Sequence, residues 1–440
     1  MFPEILWAVP PAAVSVPVGA AVWRNWSPAS WNYGPGLVGN AARVHLTWAD
    51  VSSGCGLTKT RTRLGKGGRR QVERKPKLSR FRPTGYGFRV RVRLHDGQTP
   101  GDYAQALTRL AHSWRVHAVR VRRTGPGWVE LVATSRDPLV NLGAASAFDG
   151  ELLTVQLGRL ETGEPWVVDF RQVPHWLDIG ATQSGKSTDV NALIKGLSPQ
   201  PVALAGLDLK GGVELTPYED RISKLATTRD ECGGLLDDLI GILTDRMALC
   251  RTHRMRNVWK LPEDVREQHA MPIVVFVDEV AELYLMADKS EKDVIAKTST
   301  TLLRIAQLGR AFAVYLVVCG QRVGSDLGPG VTALRSQLSG RICHRVNDAE
   351  TAKMALGDLA PDSLEAALSI PAEMPGVAVT VGADGRWHRA RSFLTTEEEA
   401  EQAAREFAHL APSWDALTTA SGAPSSISDA ELADFLDGAA

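Results

Sequence analysis

The stretch Ile179-Gly180-Ala181-Thr182-Gln183-Ser184-Gly185-Lys186-Ser187-Thr188 decides how this chain is read. It fits the pattern G-x-x-x-x-G-K-[ST] at every fixed position. The glycines let the backbone wrap closely enough for its N–H groups to cradle a polyphosphate. Lys186 then reaches the β and γ phosphates, and the Ser187 hydroxyl can ligate Mg²⁺. The helix that follows turns its positive dipole end toward the same anion. The flanks fit this reading. His175 to Ile179 is short and apolar enough for a buried strand, and Thr188 to Leu197 reads as a helix stopped by Ser198-Pro199. A glycine-rich turn arising by chance has no reason to sit between such a strand and such a helix. Residues Gly180 to Thr188 are therefore the candidate nucleotide-binding set.

Downstream, Val202 to Leu207 reads as a buried strand ending in Asp208-Leu209-Lys210-Gly211-Gly212, and strand ends are where open α/β sheets place ligand loops. A helix from about Cys232 to Met255 carries the stripe Leu236, Ile240, Leu243 and Met247, which marks a core-packed face. The second chemical signal is Pro272-Ile273-Val274-Val275-Phe276-Val277-Asp278-Glu279. It is apolar on both faces, as a central parallel strand requires, and it delivers two carboxylates at its end. In a P-loop ATPase, Asp278 holds Mg²⁺ and Glu279 polarises the attacking water. Val314 to Val318 is another buried strand, closing at Cys319-Gly320-Gln321-Arg322, where the Gln321 amide has the reach to sense a γ phosphate. Arg310, at the end of the preceding helix, has two readings: a surface cap on its own helix, or a guanidinium offered to the nucleotide of a neighbouring subunit.

At 440 residues the chain suits two or three domains, and its 44% hydrophobic content is that of a globular protein. The formal net charge is zero, so charge informs only segment by segment. Cys55, Cys232, Cys250, Cys319 and Cys343 form no C-x-x-C pair and have no histidine at zinc-ligand spacing. They fit a reduced setting as small neutral residues. Ile5 to Trp23 runs uncharged for about the ~20 residues that cross a bilayer, but Pro10, Pro11 and Pro17 interrupt it. Hydropathy leaves a membrane anchor (1–25) and a peripherally bound or disordered N-terminus equally open. Between Lys59 and Arg82 stand eleven basic residues against the single acid Glu73, with interspersed glycines, so 26–82 reads as a flexible basic linker. It suits lipid headgroups, DNA phosphates or solvent alike. Then Phe88, Val90, Val92 and Leu94 alternate with arginines, and a helical stripe runs from Tyr103 to Trp114. Two more strands follow around Gly125-Pro126-Gly127, which together predict a βαββ unit within 83–150. From Thr395 to Ala440 ten acidic residues face one basic, Arg405, so 396–440 reads as an acidic tail that DNA repels.

The stretches GATQSGKST, VVFVDEVAEL, LGRAFAVYLVVCGQR and GRICHRVNDAETAKMALG, in that order and spacing, resemble the motor domain of FtsK/SpoIIIE-type DNA translocases. Within that group the arrangement is most similar to TraB/TraSA-type conjugative transfer proteins of actinobacterial mobile elements. The resemblance covers roughly residues 83 to 395. It implies a RecA-like α/β ATPase motor over 151–395 with a central, mostly parallel sheet, preceded by the small α/β domain. It implies further a hexameric ring that binds ATP and Mg²⁺ and pumps double-stranded DNA. Carried over by residue, it makes Lys186, Ser187, Asp278 and Glu279 the ATP and metal residues, Gln321 a sensor and Arg310 a trans-acting finger. Loops at Lys210 to Glu219 and Arg322 to Arg335 would face the pore, making Lys210, Arg322 and Arg335 candidate phosphate contacts. Gln183 stands where the family often has glycine, and neither several membrane spans nor a winged-helix domain is evident. Rival expectations are a secretion ATPase exporting protein, a chromosome-segregation pump, and a docking protein that uses nucleotide as a switch.

Overall fold

A computed structural model describes residues 23, 28–65, 68–142, 150–286, 288, 291–324, 327–328, 330–357, 361–383 and 385–419. The apolar stretch 5–23, except Trp23, and the expected helix at 429–436 lie outside the described residues. Among the described residues, no helix is long and apolar enough to cross a membrane. The chain divides into two compact units, one of residues 1–141 with 161–163, the other of 142–160 with 164–440.

The first unit is larger than the βαββ expected. Helices Pro28–Tyr33 and Pro35–Gly54 precede a hairpin of β1 (Lys59–Gly65) and β2 (Gly68–Arg74). The stretch read as a flexible linker is thus folded. Gly65 and Gly68 pair at the end of the hairpin, and the basic run continues into β3 (Lys77–Thr84), an edge strand of a four-stranded antiparallel sheet. That sheet has the order β3, β4 (Gly87–Arg93), β6 (Trp128–Thr134), β5 (Ala118–Gly125). Phe88, Val90 and Val92 of β4 point into a core with Val44, Trp48, Tyr103, Leu110 and Trp114. Burying side chains of this kind is worth roughly 1.5–3 kcal/mol each. The Trp48 indole N–H donates to the Pro76 carbonyl at 2.7 Å, tying the long helix to the end of the hairpin. The expected single helix from Tyr103 to Trp114 is two short ones, Pro100–Ala104 and Leu107–Trp114, which bury the same stripe across the break. Of the arginines on this sheet, Arg91 stacks over the Trp128 ring at 5.1 Å and Arg120 pairs with Glu161 at 3.1 Å.

The second unit holds a ten-stranded sheet. Its strands are β7 (Thr154–Leu160), β8 (Pro165–Asp169), β9 (His175–Ile179), β10 (Ala203–Leu207), β11 (Ile222–Ala226), β12 (Ile273–Val277), β13 (Val314–Gly320), β14 (Gly340–His344), β15 (Val377–Val381) and β16 (Trp387–Ser392). In space they run β11-β10-β12-β13-β9-β14-β15-β16-β7-β8. The first six are parallel to one another, and the last four extend the sheet by antiparallel pairings. Every residue of β9, β10, β12 and β13 is buried, which is why the last three read as unbroken apolar runs, while β9 buries His175 and Asp178 among apolar neighbours. Helices Lys186–Leu197, Arg229–Thr252 and Lys292–Phe312 pack against the sheet, the second opened by a capping box between Thr228 and Glu231.

Two buried guanidinium groups stitch these layers. Arg246 donates to the carbonyls of Phe312 (2.6 Å), Ala313 (3.3 Å) and Met271 (2.5 Å), fastening its helix to the entries of β12 and β13. Arg221 donates to the carbonyls of Ser198, Gln200 and Val202 at 2.8–2.9 Å, holding the turn that leads into β10. The acidic segment also belongs to the fold. Thr396 caps the helix Glu397–Glu406, which buries Ala400 and Ala404 and packs on Lys186–Leu197. Asn191 donates to the Thr395 carbonyl (3.2 Å) and Lys195 pairs with Glu399 (3.0 Å). The glutamates face outward from that helix, so its charge and its packing do not conflict.

Candidate functional site

Register brings the two chemical signals together. β9, which ends in the phosphate loop, lies beside β13, and β13 lies beside β12, whose end carries Asp278 and Glu279. All three strands point the same way, so their C-terminal loops meet at one edge. There a cavity of about 270 Å³ is lined by Gly180 to Thr188 together with Lys210, Glu214, Asp278, Gln321 and Pro375.

The loop's shape follows from close backbone approaches. Gly185 has φ +122°, and a Cβ there would stand 2.4 Å from the Gly376 nitrogen. The Gly376 N–H donates to the Ser184 carbonyl (2.8 Å), so the turn ahead of β15 forms one wall of the loop. At Gly180 a Cβ would meet the Ser184 Oγ and the His344 Cβ. Gln183, a non-glycine at φ +60°, occupies the left-handed conformation that the place favoured by glycine in the family would suggest. On the far side, the Arg345 guanidinium donates to the Thr182 carbonyl (3.2 Å), and the Ala181 N–H to the Arg345 carbonyl (2.9 Å).

The charged groups lean on each other inside this frame. Lys186 Nζ lies 3.8 Å from Glu279 Oε2, while Glu279 Oε1 accepts the Gln321 N–H at 3.3 Å. Lys210 Nζ sits 2.7 Å from Asp278 Oδ2. Burial pulls the Lys210 ammonium down, but the hydrogen bond and charge of Asp278, helped by Glu279 and Glu214, outweigh it and hold the group above its ordinary range. Lys210 was expected at a pore. Because β10 lies directly beside β12, it instead lines the nucleotide cavity. Its loop is shaped by the fully buried Asp208, whose carboxylate accepts the N–H groups of Lys210, Glu214 and Leu215 at 2.8–3.1 Å.

Arg310 stands apart from the cavity. It lies four residues before β13 begins, at the N-terminal edge of the sheet, and lines a separate cleft of about 830 Å³ with Asp169, Arg171, Trp259 and Gln307. Within one chain the whole sheet separates it from the phosphate loop. Arg322 pairs with Glu350 (3.4 Å), and Arg335 donates to the Val323 carbonyl (3.3 Å), so both fasten the segment after β13.

Three residues beneath the loop escaped the reading of the sequence as a site. Asp178 near the end of β9, Asp189 in the first turn of the following helix and His344 at the end of β14 are buried together, with His344 Nε2 3.3 Å from Asp178 Oδ1 and 3.2 Å from Asp189 Oδ2. Burial pulls His344 down, yet the two carboxylates outweigh it and hold the imidazole up at about 10. Burial pushes the Asp189 carboxyl up. The signal available in the sequence was a charged residue inside an otherwise apolar strand.

Comparison with known proteins finds relatives over most of the chain. Residues 20–135 match the model of the actinomycete conjugal transfer protein N-terminal domain, and residues 144–325 match the FtsK/SpoIIIE family. The transfer protein TraSA of Streptomyces ambofaciens is 41% identical over 392 residues, covering 85% of this chain and 94% of that protein. A protein of Streptomyces azureus named as a sporulation regulatory protein is 45% identical over 255 residues, 58% of this chain and 81% of its own. Among solved structures, the pCW3 conjugation coupling protein TcpA, in monomer form with ATPγS, superposes with a TM-score of 0.54. It is 18% identical and covers 82% of this chain and 96% of that one, a likeness of fold. With both family models matched in tandem and a TraSA protein similar over nearly its full length, the chain belongs to the FtsK/SpoIIIE family, among the TraSA-type actinomycete conjugal transfer proteins.

Proposed function

We propose that this ATPase is a translocase of double-stranded DNA for conjugal transfer, hydrolysing ATP at the interfaces of a homo-oligomeric ring, a hexamer by family. The observation that carries the reading is the meeting of phosphate loop, Asp278 and Glu279 at one sheet edge while Arg310 occupies the opposite edge. A single subunit then owns the binding half of a site, and the stabilising guanidinium comes from the next subunit.

Ser187 and Asp278 line one cavity and offer a hydroxyl and a carboxylate, the hard oxygen donors that Mg²⁺ takes, and they would hold it. Bound there, the ion neutralises charge on the β and γ oxygens. The chain's own groups do the rest. Lys186, whose Nζ stands 3.8 Å from Glu279 Oε2, is placed to bind the phosphates, and the Glu279 carboxylate beside it to orient water. Glu279 Oε1 already holds the backbone of Gln321, so a change at the γ phosphate passes into the segment after β13 that contains Arg322 and Arg335. Those two arginines are the remaining candidates for sequence-independent phosphate contact, and Lys210 is withdrawn from that role. Membrane association through residues 5–23 is a further element of the proposal.

The experiment is a steady-state ATPase assay on the full chain with and without linear duplex DNA. The expected result is stimulation of roughly tenfold or more that vanishes in Glu279→Gln, since a positioned base supplies about 10²–10⁴-fold. A parent rate indifferent to duplex DNA defeats the translocase reading. A Glu279→Gln rate equal to the parent's defeats the site.

A further inference from the structure

The buried cluster under the phosphate loop is the least explained chemistry in the molecule. Asp178, Asp189 and His344 come from three different elements, and each is at most 1% exposed. Two carboxylate oxygens converge on the same imidazole nitrogen, at 3.3 and 3.2 Å. One N–H cannot align with both. Asp178 Oδ1, both oxygens of Asp189 and both ring nitrogens of His344 accordingly have no hydrogen-bond partner. The neighbouring Ser392 hydroxyl faces the Asp189 carboxylate and also donates to the Gly376 carbonyl at 3.4 Å. Buried polar groups left this way cost roughly 1–3 kcal/mol each, and more when charged.

The spacing suits a metal. Donors held around an ion at about 2.0–2.2 Å stand roughly 3–3.5 Å from one another, and the three atoms found here all lie within 4.8 Å, two of the separations being 3.2 and 3.3 Å. We propose that Asp178, Asp189 and His344 form a closed structural site for a divalent cation of the zinc class, separate from the Mg²⁺ of the nucleotide cavity. One imidazole nitrogen with carboxylate oxygens is a donor set for zinc or cobalt rather than for magnesium. The second oxygen of Asp189, also buried and unpartnered, completes four donors. Such an ion joins β9, β14 and the first turn of the helix that carries Lys186 and Ser187, fixing the floor of the phosphate loop from below.

The test is elemental analysis of the full chain, untagged and purified without chelator, followed by reconstitution with Co²⁺. Expected are about one zinc per chain surviving dialysis and a cobalt visible spectrum of four-coordinate intensity. Both are lost in Asp189→Asn and in His344→Gln. A folded parent that binds ATP yet retains less than about a tenth of an equivalent of metal and gives no cobalt spectrum overturns the proposal. So does a metal content unchanged in both variants. Because the first measurement is made on the parent, a variant that fails to fold does not decide the matter.

Discussion

Alanine at Gly185 probes the wall that the turn before β15 builds against the phosphate loop. The added Cβ would stand 2.4 Å from the Gly376 nitrogen and 2.5 Å from its Cα, so backbone meets backbone and no side chain can rotate away. The position also has φ +122°, where an L-residue is strained by roughly 1–3 kcal/mol. Displacing Gly376 forfeits its 2.8 Å bond to the Ser184 carbonyl, worth about 1 kcal/mol. The variant therefore relaxes to a distorted loop, and nucleotide must restore the native one against roughly 2–4 kcal/mol. At about 1.4 kcal/mol per factor of ten, ATP affinity falls roughly 30- to 700-fold. Titration with a fluorescent ATP analogue measures this, and a thermal melt without nucleotide shows whether the fold survives. A folded variant binding within about threefold of the parent would refute the claim that this contact shapes the loop.

Arg310→Ala is expected to leave ATP binding near the parent value while turnover falls by roughly 10³-fold or more. Doping inactive Lys186→Ala subunits, whose Arg310 is intact, into Arg310→Ala preparations should restore part of the rate, and no recovery would argue for a simple helix cap. Arg221→Leu strands the carbonyls of Ser198, Gln200 and Val202, a loss of roughly 3 kcal/mol at about 1 each. That lowers the melting temperature of the motor by roughly 6–12 °C, and an unchanged melt would count against the stitch. Burial holds the His175 imidazole down at about 3, its Nδ1 accepting the Leu316 N–H. Between that value and the unfolded one of about 6.5, only the unfolded chain binds the proton. Stability is thus full above pH 6.5 and falls toward acid by about 1.4 kcal/mol per unit. Urea midpoints at neutral and mildly acidic pH, compared with His175→Gln, test the slope.

β10, β12 and β13 were legible because they are buried on both faces and so spell uninterrupted apolar runs, with β12 the clearest, whereas β11 and β14 carry polar residues and went unread. β15 and β16 were not legible either. Their stability comes from pairing with β14 and β7, distant in sequence, and Trp387–Ser392 reads locally as a polar segment. The hairpin of β1 and β2 was misread for a related reason, since glycine and like charge signal flexibility until a partner strand is known. That Lys210 lines the phosphate-loop cavity was not legible, because nothing in its own neighbourhood says that β10 lies next to β12. Asp178, Asp189 and His344 are spread over more than a hundred and fifty residues, and only the folded sheet makes them neighbours.

The helix Glu397–Glu406 lies against the back of the helix that carries Lys186, anchored by Asn191 and Lys195. Cleavage between Thr395 and Thr419 would strip packing from the back of the helix that opens at Lys186 and Ser187, so the seat of the phosphate loop depends on a segment some two hundred residues further along the chain.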